Sequence, residues 1–184
     1  MAVSKIQITP AESVHLRLLE RWRHAMDLLG PGPAEPHFED AAAAVGPLQA
    51  EGDWVDLGSG AGFPGIALAA RFPEARVLLV EPRQKRATFL DQVVREAQLK
   101  NATVRRGRDN ELPAAAFDGV IARAFLPPDE LVRVADRLLR PGGRVALMLA
   151  RAEAPQAPGF EPAGSWDYDL DGRPRRVVVL KKLP

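Results

Sequence analysis

The sequence predicts an α/β fold: a mostly parallel sheet, with a small helical cap before it and an antiparallel hairpin at its edge. Three observations carry that reading. From Asp53 onward short aliphatic runs alternate with amphipathic segments, a glycine-rich turn follows the first run, and the last two runs have no helix between them. Parallel strands are buried on both faces and so read as continuous apolar runs, and joining them takes crossovers of helical length.

The elements follow in order. In residues 11–29, Val14, Leu18, Trp22, Met26 and Leu29 recur at spacings of three and four, the stripe of an amphipathic helix, and Gly30-Pro31-Gly32-Pro33 stops it. A second helical stretch covers about 37–50. Residues 1–50 are therefore read as the cap and 51–184 as the sheet domain. Strands are expected at 54–57, 76–80, 102–106, 119–122 and 144–149, with helices near 64–71, 84–98 and 128–139. Pro155, Pro158 and Gly159 mark a loop into the final pair, WDYDL (166–170) and RRVVVLKK (175–182), which completes seven strands as an edge hairpin.

Composition narrows the chemistry. The chain has no Cys, which removes disulfides, thiolate zinc sites and cysteine nucleophiles, and it fits a reducing cytoplasm. Its three histidines, His15, His24 and His37, all lie near the N-terminus, so no metal site is expected. There is no secretory h-region and no apolar run of membrane-spanning length, and a cytoplasmic protein without membrane attachment is expected. Net charge is only +1, yet Arg83 to Arg108 holds eight bases against two acids, and the tail from Asp171 holds five against one. Each cluster reads either as solvated surface or as a phosphate-binding patch.

The chemistry begins at Asp56-Leu57-Gly58-Ser59-Gly60-Ala61-Gly62-Phe63-Pro64-Gly65, between the first strand and its helix. Glycines let the chain turn and let a ligand approach the backbone, and a helix N-terminus offers free N–H groups. Gly60-x-Gly62-x-x-Gly65 also matches the dinucleotide fingerprint, with Glu81 ending the second strand about 20 residues on. Three features favour S-adenosylmethionine (AdoMet) over NAD. Asp56 precedes the glycines in a D-x-G-x-G-x-G form. Pro64 removes one potential pyrophosphate donor from the first helical turn. Leu139-Arg140-Pro141-Gly142-Gly143-Arg144-Val145 reads as helix, turn and strand, a late feature of AdoMet methyltransferases. Glu81 would then accept from both ribose hydroxyls; its other reading is a helix-initiating acid. No Tyr-x-x-x-Lys or His–acid pair suited to hydride chemistry is present.

DLGSGAGFPGIALAARFP (56–73), LLVEPRQKRATFLDQVVREAQLKNATVRRGR (78–108), FDGVIARAF (117–125) and RRVVVLKK (175–182) resemble the small-subunit (16S) ribosomal RNA guanine-N7 methyltransferases, the glucose-inhibited division protein B type. LLERWRHAMDLL and His37-Phe38-Glu39-Asp40 resemble that family's helical cap, so the likeness spans nearly the whole chain. It implies a Rossmann-like class I AdoMet-dependent methyltransferase fold, and a monomer acting on 16S ribosomal RNA or the small ribosomal subunit. Guanine N7 carries a lone pair and no proton, so transfer needs alignment rather than a general base.

The resemblance also implies site residues. Asp56, Gly58, Ser59, Gly60, Gly62, Phe63, Glu81, Asp109, Asn110 and Arg123 are expected to hold the cofactor. Phe63, Pro64, Lys85, Arg86, Arg123 and Arg151 are expected to face the substrate, with Arg123 the expected catalytic or base-positioning group. Alternatives stand beside these. Arg123 can be a rim salt bridge, Phe63 can pack under the helix, and Asp109 can cap a helix. His37 with Asp40 resembles a pair facing the cofactor, or is structural. The sequence departs from the family at Asp27-Leu28-Leu29, at Pro36 and at Met148-Leu149-Ala150-Arg151, where the family has Asn-Leu-Thr, Arg and a Lys-Gly pair. A divergent methyltransferase acting on another RNA or a small molecule, or a non-catalytic AdoMet- or RNA-binding relative, is the alternative.

Overall fold

Thr9 starts the first helix with a reciprocal cap: its hydroxyl accepts from the Glu12 N–H, and the Glu12 carboxylate accepts from the Thr9 N–H. In the computed structural model, which describes residues 7–150 and 154–184, this helix, α1, runs Pro10–Met26 and α2 runs Glu35–Val45. Both cap helices differ at their ends from the sequence reading. The first stops three residues early because Asp27 turns left-handed, φ 50°, with its carbonyl bonded by Arg86. The second begins two residues early with Pro36 in its first turn, where the missing N–H costs nothing, and ends in a 3-10 turn over Gly46–Leu48.

The strands are β1 (Gly52–Leu57), β2 (Ala75–Glu81), β3 (Ala102–Arg106), β4 (Phe117–Ala122), β5 (Leu139–Leu149), β6 (Phe160–Leu170) and β7 (Arg173–Lys182). Helices α3 (Gly65–Arg71), α4 (Gln84–Glu96) and α5 (Pro128–Leu138) supply the crossovers. The sheet order is β3-β2-β1-β4-β5-β7-β6; the first five strands are parallel and β7 pairs antiparallel with both β5 and β6. This is the seven-stranded arrangement expected, hairpin included.

Two strands are longer than their apolar runs. Arg140-Pro141-Gly142-Gly143 is not a separate turn but a bulge inside β5: Leu139 pairs with Phe117, the register then slips, and Arg144 pairs with Gly119. The slip is carried by Gly142 at φ 81°. At the sheet edge, β6 starts at Phe160 rather than Trp166. Its first residues are mostly exposed and carry no alternation to read, yet they pair with β7 through a second register slip at Pro162/Gly164.

Strand alternation sends Trp54, Val77, Leu79 and Ile121 to one face and Val55, Val80, Val120 and Val145 to the other. The first face is covered by α1 to α4, so cap residues Leu18, Leu19 and Phe38 share one cluster with Trp54, Phe63 and Phe89. The second is covered by α5 and neighbouring loops. Fully burying each of these large side chains contributes about 1.5–3 kcal/mol. A buried ion pair fixes the cap further: Glu12, wholly inaccessible, receives both Nε and Nη2 of Arg71 at the end of α3. Among the described residues no helix is long and apolar enough to cross a membrane.

Candidate active site

β1 has β2 on one side and β4 on the other, so the chain leaves it in opposite directions and opens a crevice at the C-terminal strand ends. The glycine loop lies there. Gly58, Gly60 and Gly62 all have positive φ. At Gly60 a Cβ would touch nothing closer than 3.7 Å, so what demands glycine is φ 56° and an open approach to the backbone. At Gly65 the reason is space, since a Cβ would lie 2.5 Å from an oxygen of Asp56.

The two expected carboxylates sit on either side of this loop. Glu81, 3% exposed at the end of β2, accepts from the Gly60 N–H at 3.0 Å with Oε2 and from the Arg83 N–H at 2.8 Å with Oε1. It holds the loop by its own backbone, and each oxygen keeps a further lone pair. Asp56 is fully buried, and its Oδ2 accepts from the Gly65 N–H at 3.1 Å. Its Oδ1 has no partner among the described residues. Burial pushes the Asp56 carboxyl up to about 7, against the Gly65 N–H, whose hydrogen bond favours the charged form. Ser59 itself is buried and donates its hydroxyl to the Asp56 carbonyl. Pro64 is the N-cap of α3 rather than a first-turn residue, which leaves the Gly65 N–H as the donor that meets Asp56.

Above the loop stands a residue that sequence reasoning left aside. His15 of α1 is 1% exposed and donates Nε2–H to the Ala61 carbonyl at 2.7 Å. Its ring packs edge-on to Phe38 and tilted against Phe63, each at 4.9 Å. Burial lowers its pKa from 6.5 to about 4, so it is neutral at physiological pH.

Arg123, at the turn after β4, brings the cap, the sheet and the edge hairpin together. Its Nη1 lies 3.3 Å from Asp40 Oδ2 and 3.3 Å from His37 Nδ1, and its guanidinium sits 4.8 Å over the Phe63 ring. His37 and Asp40 thus meet on Arg123 rather than on each other, and burial, followed by the Arg123 charge, lowers the His37 pKa. Asp40 also accepts from the Tyr168 hydroxyl at 2.8 Å. Tyr168 escaped the sequence reading, because nothing in WDYDL points to a partner 128 residues away. Phe63 takes the packing role: at 3% exposure between His15, His37, Phe38 and Arg123, it offers no open face to a base. Pro64 is buried beside it.

The remaining predicted residues divide. Asp109 and Asn110 form a 3-10 turn (Asp109–Glu111) after β3, with Asp109 half-buried and Asn110 exposed. Arg108, not Asp109, holds the cap position. Lys85 is exposed at the start of α4, whereas Arg86 is bonded to the Asp27 carbonyl. Arg151 lies outside the described residues. The Arg83-to-Arg108 cluster is not one patch. Arg83, Lys85, Arg106 and Arg108 lie by the strand ends, where Arg106 pairs in register with Glu81. Arg95, in the last turn of α4, and Lys100, just past it, lie at the helix's other end, about 15–20 Å along its axis. Three of the five tail bases are paired with acids of other segments, through Arg176–Asp167, Lys181–Glu161 and Lys182–Asp136. Among the described residues no group of His, Asp or Glu could hold a metal ion.

A bound AdoMet finds fitting groups here: the unpartnered Asp56 Oδ1 for a cationic amine, the open Gly60 backbone for the ribose side, and the spare lone pairs of Glu81 for hydroxyls. Comparison with known proteins bears on the fold and the family. The chain is similar in fold to a Burkholderia thailandensis 1,6-didemethyltoxoflavin-N1-methyltransferase solved with S-adenosylhomocysteine (TM-score 0.65, 17% identity, 99% of this chain and 94% of that one). It is also similar to TrmN from Thermus thermophilus (TM-score 0.58, 24% identity, 84% and 55% covered). Among curated proteins, a Paracoccus denitrificans ribosomal RNA small subunit methyltransferase G is 34% identical over 161 residues, covering 83% of this chain and 81% of that protein. One from Oleidesulfovibrio alaskensis is 31% identical over 202 residues, covering 94% and 86%. One from Erythrobacter litoralis is 47% identical over 103 residues, and the chain spans 49% of its length. Residues 13–159 match the GidB family model, described as rRNA small subunit methyltransferase G, and the chain belongs to that family of methyltransferases.

Proposed function

We propose that the chain transfers the methyl group of AdoMet to N7 of a guanine in 16S ribosomal RNA. The observation that carries this reading is Arg123, held over Phe63 beside the glycine loop with only Nη1 engaged by side chains of the described residues. When bound, AdoMet supplies an electrophilic methyl on a sulfonium, and this chain's residues supply position. Glu81 takes the ribose hydroxyls, Asp56 the amine of the methionine end, and Asp109 or Asn110 the adenine amino group. Gly58, Ser59 and Gly62 shape the loop around the cofactor, with Phe63 and Pro64 as its buried floor.

No proton has to leave N7, so the site needs no base. Arg123 presents N–H donors to the target guanine. O6, the acceptor next to N7, can be held by such a donor while the N7 lone pair stays free. A base inside a helix must leave its stack to reach this crevice. Lys85 and Arg106, with Arg83 and Arg108, would then contact phosphates of the structured RNA, giving salt-sensitive affinity without sequence preference.

The test has two stages. Calorimetric titration with S-adenosylhomocysteine is expected to give micromolar binding by the parent and none by folded Glu81→Ala. Transfer of labelled methyl to small ribosomal subunits, followed by nucleoside analysis, is expected to yield 7-methylguanosine. Binding without any transfer to ribosomal RNA would leave a cofactor-binding relative with a different target.

A further inference from the structure

Asp40, Arg123 and Tyr168 come from the cap, the central sheet and the edge hairpin, and each oxygen of the Asp40 carboxylate has its own donor. Oδ1 accepts from the Tyr168 hydroxyl at 2.8 Å, and Oδ2 accepts from Arg123 Nη1 at 3.3 Å. The carboxylate is largely enclosed, with a side-chain exposure of 11%. A phenol suits this position for a chemical reason. It gives one O–H and fixes the plane of the carboxylate, yet brings no cation to compete with Arg123 for the charge.

The hairpin's reach is itself fixed. Along β6 the side chains alternate: Asp167 and Asp169 face outward, where Asp167 pairs with Arg176, while Trp166 and Tyr168 pack on the core. Trp166 Nε1 donates to the Ala43 carbonyl at 3.0 Å, clamping β6 onto α2 two residues before Tyr168. At the other end, the Arg123 guanidinium is pinned at Nη1 and stacked on Phe63, so its plane is set. Among the described residues its Nε and Nη2 donate to no side chain or carbonyl.

We propose that Tyr168 is a positioning residue for methyl transfer: through Asp40 it fixes the plane in which the free N–H groups of Arg123 meet the target base. This rests on the reading that Arg123 faces the target guanine. A hydrogen bond from a guanidinium that can swing aligns N7 poorly with the methyl group, whereas one held from three elements keeps the near-attack geometry.

The experiment compares the parent with Tyr168→Phe and Asp40→Asn by two independent readouts. The first is steady-state methylation of small ribosomal subunits, with S-adenosylhomocysteine affinity measured alongside. Tyr168→Phe is expected to lower kcat about five- to tenfold, the equivalent of one ordinary hydrogen bond, and to leave KM for the subunit and S-adenosylhomocysteine affinity within about twofold. Asp40→Asn, which removes the charge as well, is expected to lower kcat further. The second readout is the Arg123 Nε–Hε resonance of the S-adenosylhomocysteine-loaded protein, assigned by its loss in Arg123→Lys. It is expected to shift and broaden in Tyr168→Phe. Parent-like kcat in Tyr168→Phe overturns the proposal, even if the resonance moves, because the linkage would then be a structural clamp alone. A resonance that stays put overturns it too. A parent that methylates no ribosomal RNA overturns the target assignment instead, and the resonance still decides whether Tyr168 orients Arg123.

Discussion

Replacing His15 with glutamine should make the stability of the protein depend on pH in a way the parent hides. His15 is neutral in the folded state, with a pKa lowered by burial from 6.5 to about 4. Between those values the unfolded chain binds a proton that the folded chain refuses, so stability falls as pH drops from 6.5 toward 4. Lowering the pH from 7 to 5 costs about 2 kcal/mol through this group. Asp56 acts in the opposite sense. Its pKa is raised from 3.8 to about 7, so the folded chain holds a proton that the unfolded chain has released, and the same acidification returns about 2 kcal/mol. The two nearly cancel in the parent. Glutamine keeps an N–H donor for the Ala61 carbonyl and cannot take up a proton, leaving Asp56 unopposed. Urea unfolding of the ligand-free proteins should show His15→Gln less stable at pH 7, from poorer packing against Phe38 and Phe63. By pH 5 the gap should shrink by about 2 kcal/mol. A gap of equal size at both values would refute a neutral, buried His15.

Two further outcomes follow from the packing and the charge map. Gly119→Ala drives a Cβ into the fully buried Trp54 ring, a rigid side chain with no room to move away, so a loss of about 3 kcal/mol is expected; soluble yield and urea midpoint are the checks. The double variant Lys85→Glu and Arg106→Glu should weaken binding to small ribosomal subunits and flatten its salt dependence by about two phosphate contacts. S-adenosylhomocysteine affinity should stay at the parent value, and a loss of cofactor binding instead would place these bases at the wrong end of the crevice.

What the sequence disclosed and what it withheld divide along a physical line. Parallel strands buried on both faces must be apolar throughout, so WVDL, RVLLV and RVALML announced themselves, and a backbone at positive φ beside a ligand must be glycine, so the loop after β1 did too. Such demands are local. The first half of β6 made none, because an exposed edge pairs through its backbone whatever its side chains, and Arg140 to Gly143 looked like a turn because a bulge and a turn call for the same residues. The site shows the same division. Glu81 and Asp56 stood out as candidates because each is an acid at a strand end beside the glycines, yet that they bond the Gly60 and Gly65 N–H groups was not written in the motif. His15 and Tyr168 act on groups 46 and 128 residues distant, and Asp40, read from the sequence only alongside His37, bonds Arg123 83 residues away; a helix stripe or a strand alternation gives the same residue types whether they pack, bond or position. In the proposed function the cap therefore carries more than its sequence suggests. His15 holds the Ala61 carbonyl from above while Asp40 holds Arg123 from the side, so the glycine loop and the arginine proposed to face the target are set by the same two helices. A change in how α1 and α2 seat on the sheet would disturb both ends of the proposed transfer at once, a coupling that no motif of the sheet domain alone could provide.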